Sequence, residues 1–233
     1  MSKAKLAPRR QVSVPDDDGG ALPAEWRRRP WVPVVISAIV IAALVGSGLL
    51  IKEALKTPRP TALEACATST QTGPHQFIAR QPICITAAHT YQATIITTQG
   101  TVVVQLYPQI APVTVNNFIV LALNGYYNGM SWRTDDLVAY AGDPAGDGTG
   151  GPGYTLPDEP NTQPAWGIGA LGMARPAGFP INGSQFFIER AAWPGNGPTA
   201  VYNRFGTVIK GMDLAQRLTA PTDKIVSISI QVG

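Results

Sequence analysis

The chain carries two histidines, His75 and His89, and two cysteines, Cys66 and Cys84. Both histidines precede the strand-rich part of the sequence. A Ser-His-Asp or Cys-His nucleophile system there would lack its base. Together the four side chains are spaced Cys-x8-His-x8-Cys-x4-His. That order matches no standard zinc site, so no metal is expected. Gly146-x-Gly148-x-x-Gly151 has the spacing of a dinucleotide fingerprint. Pro152–Gly153 follows where a helix should open, so the pyrophosphate would have no helix N-terminus, and the segment reads as a turn-rich loop. Asp135–Asp136 and Asp158–Glu159 are paired carboxylates. Neighbours in a strand point to opposite faces, so both pairs read as solvated loop. Asn182–Gly183–Ser184 fits a glycosylation acceptor but abuts the start of an apolar strand.

What remains is Ser131–Trp132–Arg133, set between apolar strand candidates, where Arg133 taken alone reads as a surface arginine. A guanidinium is a planar donor that stays charged at any working pH. It can stabilise charge or a lone pair that develops in a transition state.

The elements that must position these residues are mostly strands. Tyr91–Thr98 and Thr101–Tyr107 are rich in Thr, Val and Ile and read as a hairpin joined at Gln99–Gly100. Val102, Val104 and Leu106 share one face. Pro112 fits the first turn of a helix. Val115, Phe118, Ile119 and Ala122 keep helical spacing up to Asn124–Gly125. Short strands are expected at Met130–Arg133, Leu137–Ala141, Gly169–Met173, Gln185–Glu189 and Arg204–Ile209, and a second helix at Met212–Leu218. In the last strand, Ile225–Val232, alternation puts Val226, Ile228, Ile230 and Val232 on one face. Many short strands with two helices predict a mainly-β fold, a barrel with helices over its ends. The 24 glycines and 21 prolines argue the same way.

The first 51 residues differ. Residues 1–30 are polar, contain Asp16, Asp17 and Asp18, and read as a disordered tail. Trp31 to Ile51 then runs for 21 residues without a charge. As a helix this would cross a hydrocarbon core of about 30 Å. Arg27, Arg28 and Arg29 precede it, which predicts a cytoplasmic N-terminus and an outside location for everything after Ile51, at the cell surface or in a periplasm. A cleaved signal peptide is the alternative, but its apolar region would be about 7–15 residues. Ala38, Ala42, Ala43, Gly46 and Gly48 would let a second helix approach, as in a structural subunit of a membrane complex. Residues 1–30 hold seven Lys/Arg against four Asp/Glu, and residues 31–233 hold eleven of each sign. The folded part is neutral, so nucleic acid is not an expected partner.

Residues 52–90 read as an extracytoplasmic linker with a small folded portion. Thr57–Pro58–Arg59–Pro60 cannot continue a helix. Outside the membrane Cys66 and Cys84 are expected to pair, two unpaired buried thiols being the alternative. The bridge would staple the linker and leave any site beyond it little affected.

Within residues 91–232, five ordered segments stand at informative separations: SWR (131–133) followed by AGD (141–143), GDPAGDGTGGPGY (142–154), LGMAR (171–175), NGSQFFI (182–188) and YNRFG (202–206). With the helix APVTVNNFIVLALNGYY and the closing FGTVIKGMD, they closely resemble the cyclophilin family of peptidyl-prolyl cis/trans isomerases. The glycine-rich segment is of a bacterial type. The resemblance implies a closed eight-stranded β-barrel capped by two α-helices over residues 91–233, preceded here by a single transmembrane helix. It implies isomerisation of X–Pro bonds in proline-containing polypeptides, with no cofactor. Arg133 matches the family's catalytic arginine. Gln185 and Phe187 match the residues that hold the substrate backbone and the proline ring, and Ala174 a small groove residue. Tyr202 stands where the family has His or an aromatic residue. The segment after Arg133 is one residue shorter than usual. Leu137 takes the place of a phenylalanine of the proline pocket, Val138 of a methionine and Tyr140 of a glutamine. Trp193 approaches the family's groove-edge tryptophan with a spacing that differs by two residues. A prolyl-peptide binding module with little or no turnover is the alternative function.

Overall fold

Alternation along Tyr91–Thr97 (β3) buries Tyr91, Ala93, Ile95 and Thr97, and that along Gly100–Leu106 (β4) buries Val102, Val104 and Leu106. The two strands form the expected hairpin. Its turn lies at Thr98–Gln99, one residue earlier than the sequence suggests, because Thr97 pairs with Gly100 and its hydroxyl donates to the Gly100 carbonyl. The computed structural model describes residues 61–67, 70–159, 164–194, 197–198 and 201–233. The expected tail (1–30), membrane span (31–51) and Pro-rich stretch at 57–60 lie outside the described residues. Among the described residues no helix is long and apolar enough to cross a membrane.

Two short strands, β1 (Gln71–Gly73) and β2 (Gln76–Phe77), precede the hairpin. After it come helix α1 (Pro112–Leu123), β5 (Arg133–Thr134), β6 (Val138–Ala141), β7 (Thr155–Leu156), β8 (Ala170–Met173), β9 (Ile181–Asn182), β10 (Phe186–Glu189), β11 (Arg204–Lys210), helix α2 (Met212–Arg217) and β12 (Ile225–Val232). Eight of the strands form one antiparallel sheet in the order β12-β3-β4-β11-β8-β10-β6-β5. Its two edges meet. Ser131 bridges Lys224, the Trp132 N–H donates to the Asp223 carbonyl and the Ile225 N–H to that of Met130. Joining edge to edge leaves no long unpaired strand. The stretch expected as strand from Met130 is mostly this seam, and regular pairing begins at Arg133.

The alternation expected along β12 breaks at its start. Ile225 is buried and Val226 exposed, because a bulge between Ile225 and Ser227 shifts the register against β3. One extra residue turns the following side chain to the other face. Ile228 and Ile230 then point inward as expected.

Inside the sheet, Phe186 meets Phe118, Tyr127 and Trp132 with ring centroids 5.5, 5.5 and 5.8 Å apart. Helix α1 closes this core and is buried nearly all round. Its first-turn N–H groups need acceptors, and Ala111 offers no side-chain cap. Glu159, expected in solvated loop, supplies one. Its carboxylate accepts from the N–H groups of Val113 (2.9 Å) and Thr114 (2.8 Å). An acid at a helix N-terminus also complements the dipole there.

The segment expected as a linker with a small folded portion shows that portion among the described residues at 61–67 and 70–90. Leu63, Cys66 and Phe77 are buried. Cys66 and Cys84 are joined, with their Cα atoms 5.3 Å apart. Asn116 on α1 holds the segment, accepting from the Cys84 N–H and donating to the Pro82 carbonyl. Apolar residues without a clear period carried too little signal to show this docking.

Candidate active site

Period-two alternation in β10 sends Phe186 into the core and Phe187 to the opposite face. Register then extends a row across the sheet from Phe187. Arg133 on β5 stands opposite Tyr140 on β6, Tyr140 opposite Phe187 on β10, Phe187 opposite Gly172 on β8, and Gly172 opposite Arg204 on β11. The strands' neighbours complete a groove of about 470 Å³. Ala174 follows β8 and donates its N–H to the Gln185 carbonyl just before β10 (2.8 Å). Tyr202 precedes β11, its ring 5.2 Å from that of Phe187.

Of the residues singled out in the sequence, Arg133, Val138, Tyr140, Ala174, Gln185, Phe187 and Tyr202 line this one groove. Trp193 lines it too, 6.4 Å from the Phe187 ring. Leu137 is not among the lining residues. Asp135 closes the shortened turn by accepting from the N–H groups of Leu137 and Val138, both at 2.8 Å, and its own N–H donates to the Val138 carbonyl. The Leu137 carbonyl accepts from Arg190. This tight turn takes the place of the longer loop that the resemblance leads one to expect. Asp135 thus forms the turn at the groove wall while staying exposed, as expected of a solvated loop acid.

Other groove residues lie in the glycine-rich segment, which the sequence marks only as a turn-rich loop. Asp147, Gly148 and Thr149 form the wall beside Arg133. Asp143 builds this loop, its carboxylate accepting from the N–H groups of Ala145 (2.9 Å), Gly148 and Gly150 (3.0 Å). The Gln185 amide nitrogen donates to the carbonyls of Gly148 (3.0 Å) and Gly150 (2.6 Å). On the same face of the sheet, Trp166 stacks on Phe187 at 5.7 Å and 18° and meets Tyr202 at 6.2 Å. The bare α-carbon of Gly172 makes room, since a β-carbon there would stand 2.5 Å from the Phe187 ring and 2.7 Å from Trp166. Arg204 covers Trp166 in turn, 5.8 Å from the ring. Phe187 is consequently only 2% exposed.

Electrostatically the groove offers one exposed guanidinium between carboxylates. Hydrogen bonds from the Thr149 hydroxyl and N–H hold Asp147 below the usual carboxylate range. Burial pushes the Tyr140 phenol up to about 12, and the Asp135 carboxylate, which accepts its hydroxyl at 3.2 Å, adds to the rise. Burial also raises Tyr202. Arg175, at the other end, is paired with Asp158 and donates to the Val201 carbonyl. The arrangement combines an aromatic floor, a backbone-gripping amide and a fixed cation. Among the described residues its lining includes no serine, cysteine or histidine, and it suits catalysis by binding and electrostatics.

Comparison with known proteins agrees with the geometry. The family described as cyclophilin type peptidyl-prolyl cis-trans isomerase matches residues 92–230. Peptidyl-prolyl cis-trans isomerase B of Bacillus subtilis is 43% identical over 122 residues, which are 49% of this chain and 80% of that protein. A peptidyl-prolyl cis-trans isomerase-like 1 protein of Neurospora crassa is 40% identical over 136 residues, 55% of this chain and 81% of that protein. A crystal structure of a cyclophilin type isomerase from Cryptosporidium parvum superposes with a TM-score of 0.55 at 26% identity, covering 61% of this chain and 98% of that one. A second structure of that protein, obtained in the presence of the dipeptide Ala-Pro, gives 0.53 at 28% identity over 60% of this chain and 98% of that one.

Proposed function

The chain belongs to the cyclophilin-type peptidyl-prolyl cis-trans isomerase family, and we propose that it turns X–Pro bonds of extracytoplasmic polypeptides by arginine-assisted rotation in the groove around Phe187. The observation that carries this reading is the convergence of Arg133, Gln185 and Phe187, from three separate stretches of sequence, on one groove. Rotation about the peptide bond meets a barrier of about 18–20 kcal/mol set by amide resonance. As the bond twists, the prolyl nitrogen regains a lone pair. A donor that meets this lone pair only in the twisted state lowers the barrier selectively. Arg133 supplies that donor, and its permanent charge needs no partner to set it. Phe187, with Tyr202, Trp193 and Val138 around it, holds the ring while the rest of the chain rotates. The Gln185 nitrogen is committed to the loop carbonyls, so its Oε1 is the end that accepts a substrate N–H.

The apolar run at 31–51 behind Arg27, Arg28 and Arg29 supports that location. The Cys66–Cys84 bridge supports an oxidising compartment. The clients are then unfolded or partly folded proteins outside the membrane. Turnover by the full-length chain in detergent, read as cis/trans exchange of an Ala-Pro peptide by NMR, tests the reading. Acceleration over the uncatalysed rate is expected. Binding of the peptide without acceleration would replace the enzyme by a prolyl-peptide binding module.

A further inference from the structure

The glycine-rich loop that holds Gln185 is itself held from outside the barrel. The Phe77 N–H donates to the Pro152 carbonyl (2.9 Å) and the Gln76 side chain to that of Gly151 (3.4 Å). At Gly153 the fit is close, since a β-carbon there would stand 2.9 Å from the Phe77 oxygen. The Phe77 ring is 4% exposed and packs against Tyr126 and Tyr154. Tyr126 donates to the Ser184 hydroxyl (2.9 Å), directly beside Gln185. Two routes therefore lead from Phe77 to Gln185, one through the loop carbonyls and one through Tyr126 and Ser184. The same loop abuts Arg133 at Gly148. The segment bearing Phe77 lies inside the ring closed by Cys66 and Cys84, 18 residues apart, and the bridge end is fixed to α1 through Asn116.

We propose that Gln76–Phe77, tied down by the Cys66–Cys84 bridge, is a positioning element of the groove that presses the glycine-rich loop onto Gln185 and Arg133. Gln76 and Phe77 are not groove-lining residues and act only through the loop. The inference rests on the isomerase reading of the groove, and it replaces the expectation that the bridge leaves turnover alone. A bridge that restricts the segment also restricts the loop it grips, because each interface is packed and transmits displacement.

The test uses the full-length protein in detergent, with two readouts. One is kcat/KM for an Ala-Pro peptide. The other is the NMR signal of the Gln185 side-chain amide, which fold stability alone does not move. Phe77→Ala and the double variant Cys66→Ala/Cys84→Ala are each expected to lower kcat/KM about five-fold or more and to shift the Gln185 amide toward its solvent-exposed position. Phe77→Leu restores a large apolar side chain, and should recover most of both. Combining Phe77→Ala with the cysteine changes should add little, since both act through one loop. Ile230→Ala, in the core on β12, should lower the melting temperature but leave both readouts in place. A folded Phe77→Ala protein with parental kcat/KM and an unmoved Gln185 signal would overturn the proposal. So would an Ile230→Ala protein that loses as much kcat/KM as Phe77→Ala. If the parent fails to isomerise the peptide, the enzyme reading falls, while the Gln185 signal still decides whether Phe77 positions the loop.

Discussion

A β-carbon on Gly148 would stand 2.3 Å from Nη1 of Arg133. The guanidinium and the loop backbone are therefore in contact, and the glycine leaves the arginine its place. Gly148 also has φ +97°, a conformation that costs an L-residue about 1–2 kcal/mol. Gly148→Ala is expected to lower kcat/KM at least about 10-fold, or roughly 1.4 kcal/mol of transition-state stabilisation. Melting temperature should drop by only a few degrees, about what that local strain predicts. Steady-state kinetics and calorimetry on the same preparation check this. Parental kinetics in the folded variant would show that the arginine needs no such seat.

Phe187 is the floor of the groove and is itself stacked against Trp166. Phe187→Ala removes a large buried ring and should cost about 3–5 kcal/mol, part in stability and part in peptide affinity. Trp166→Ala leaves the floor in place but unsupported, so it should weaken peptide binding less than Phe187→Ala does. Titration of a proline peptide, with circular dichroism as the check on folding, separates the two losses. Unchanged affinity in a folded Phe187→Ala protein would move the proline pocket elsewhere.

Histidine is absent from the groove-lining residues, and Tyr140, Tyr202 and Asp147 there are pushed away from neutrality. Tyr140, raised to about 12 mainly by burial, stays a neutral phenol. Asp147, lowered by its Thr149 hydrogen bonds, stays ionised. The kcat/KM is therefore expected to be flat from about pH 5 to about pH 9. A step near neutrality would point to an imidazole outside the groove. Stability should instead fall toward acid. Burial pushes Asp223 up, but hydrogen bonds from Gln99, Thr219 and Thr98 outweigh it and leave the group lowered. Its contribution is complete above the unfolded value and is lost as pH falls through the folded one. Asp223→Asn should flatten the acid limb of a melting-temperature profile.

The groove was legible in the sequence through the resemblance of its ordered segments to the cyclophilin family, which marked Arg133, Gln185 and Phe187; strand alternation and register are the physical reason these residues share one face. Once Phe186 faces the core, Phe187 must face the other way, and the paired positions of Arg133 and Tyr140 follow. Leu137 failed to join the groove because a turn closed by Asp135 replaced a longer loop. A one-residue deletion announces a different turn without saying where its side chains go. Trp166 was invisible for a related reason. It comes from a stretch with no period, and its place is prepared by the absence of a side chain at Gly172. Glu159 caps a helix 45 residues away in sequence, a pairing that no spacing rule contains. The docking of residues 61–90 likewise depends on Asn116 and on the loop at 151–153, both remote in sequence.

The central claim is that Arg133 acts on the twisted X–Pro bond more than on the bound ground state. Two-dimensional exchange NMR on an Ala-Pro peptide with the full-length protein tests it most directly, comparing the parent with Arg133→Ala and Arg133→Lys. The exchange rate should fall at least about 10-fold in Arg133→Ala, which needs only 1.36 kcal/mol of lost transition-state stabilisation. Peptide affinity should fall much less. Arg133→Lys should not fully restore the rate, since a flexible ammonium cannot reproduce the planar fork. A folded Arg133→Ala protein that exchanges the peptide as fast as the parent would contradict the account.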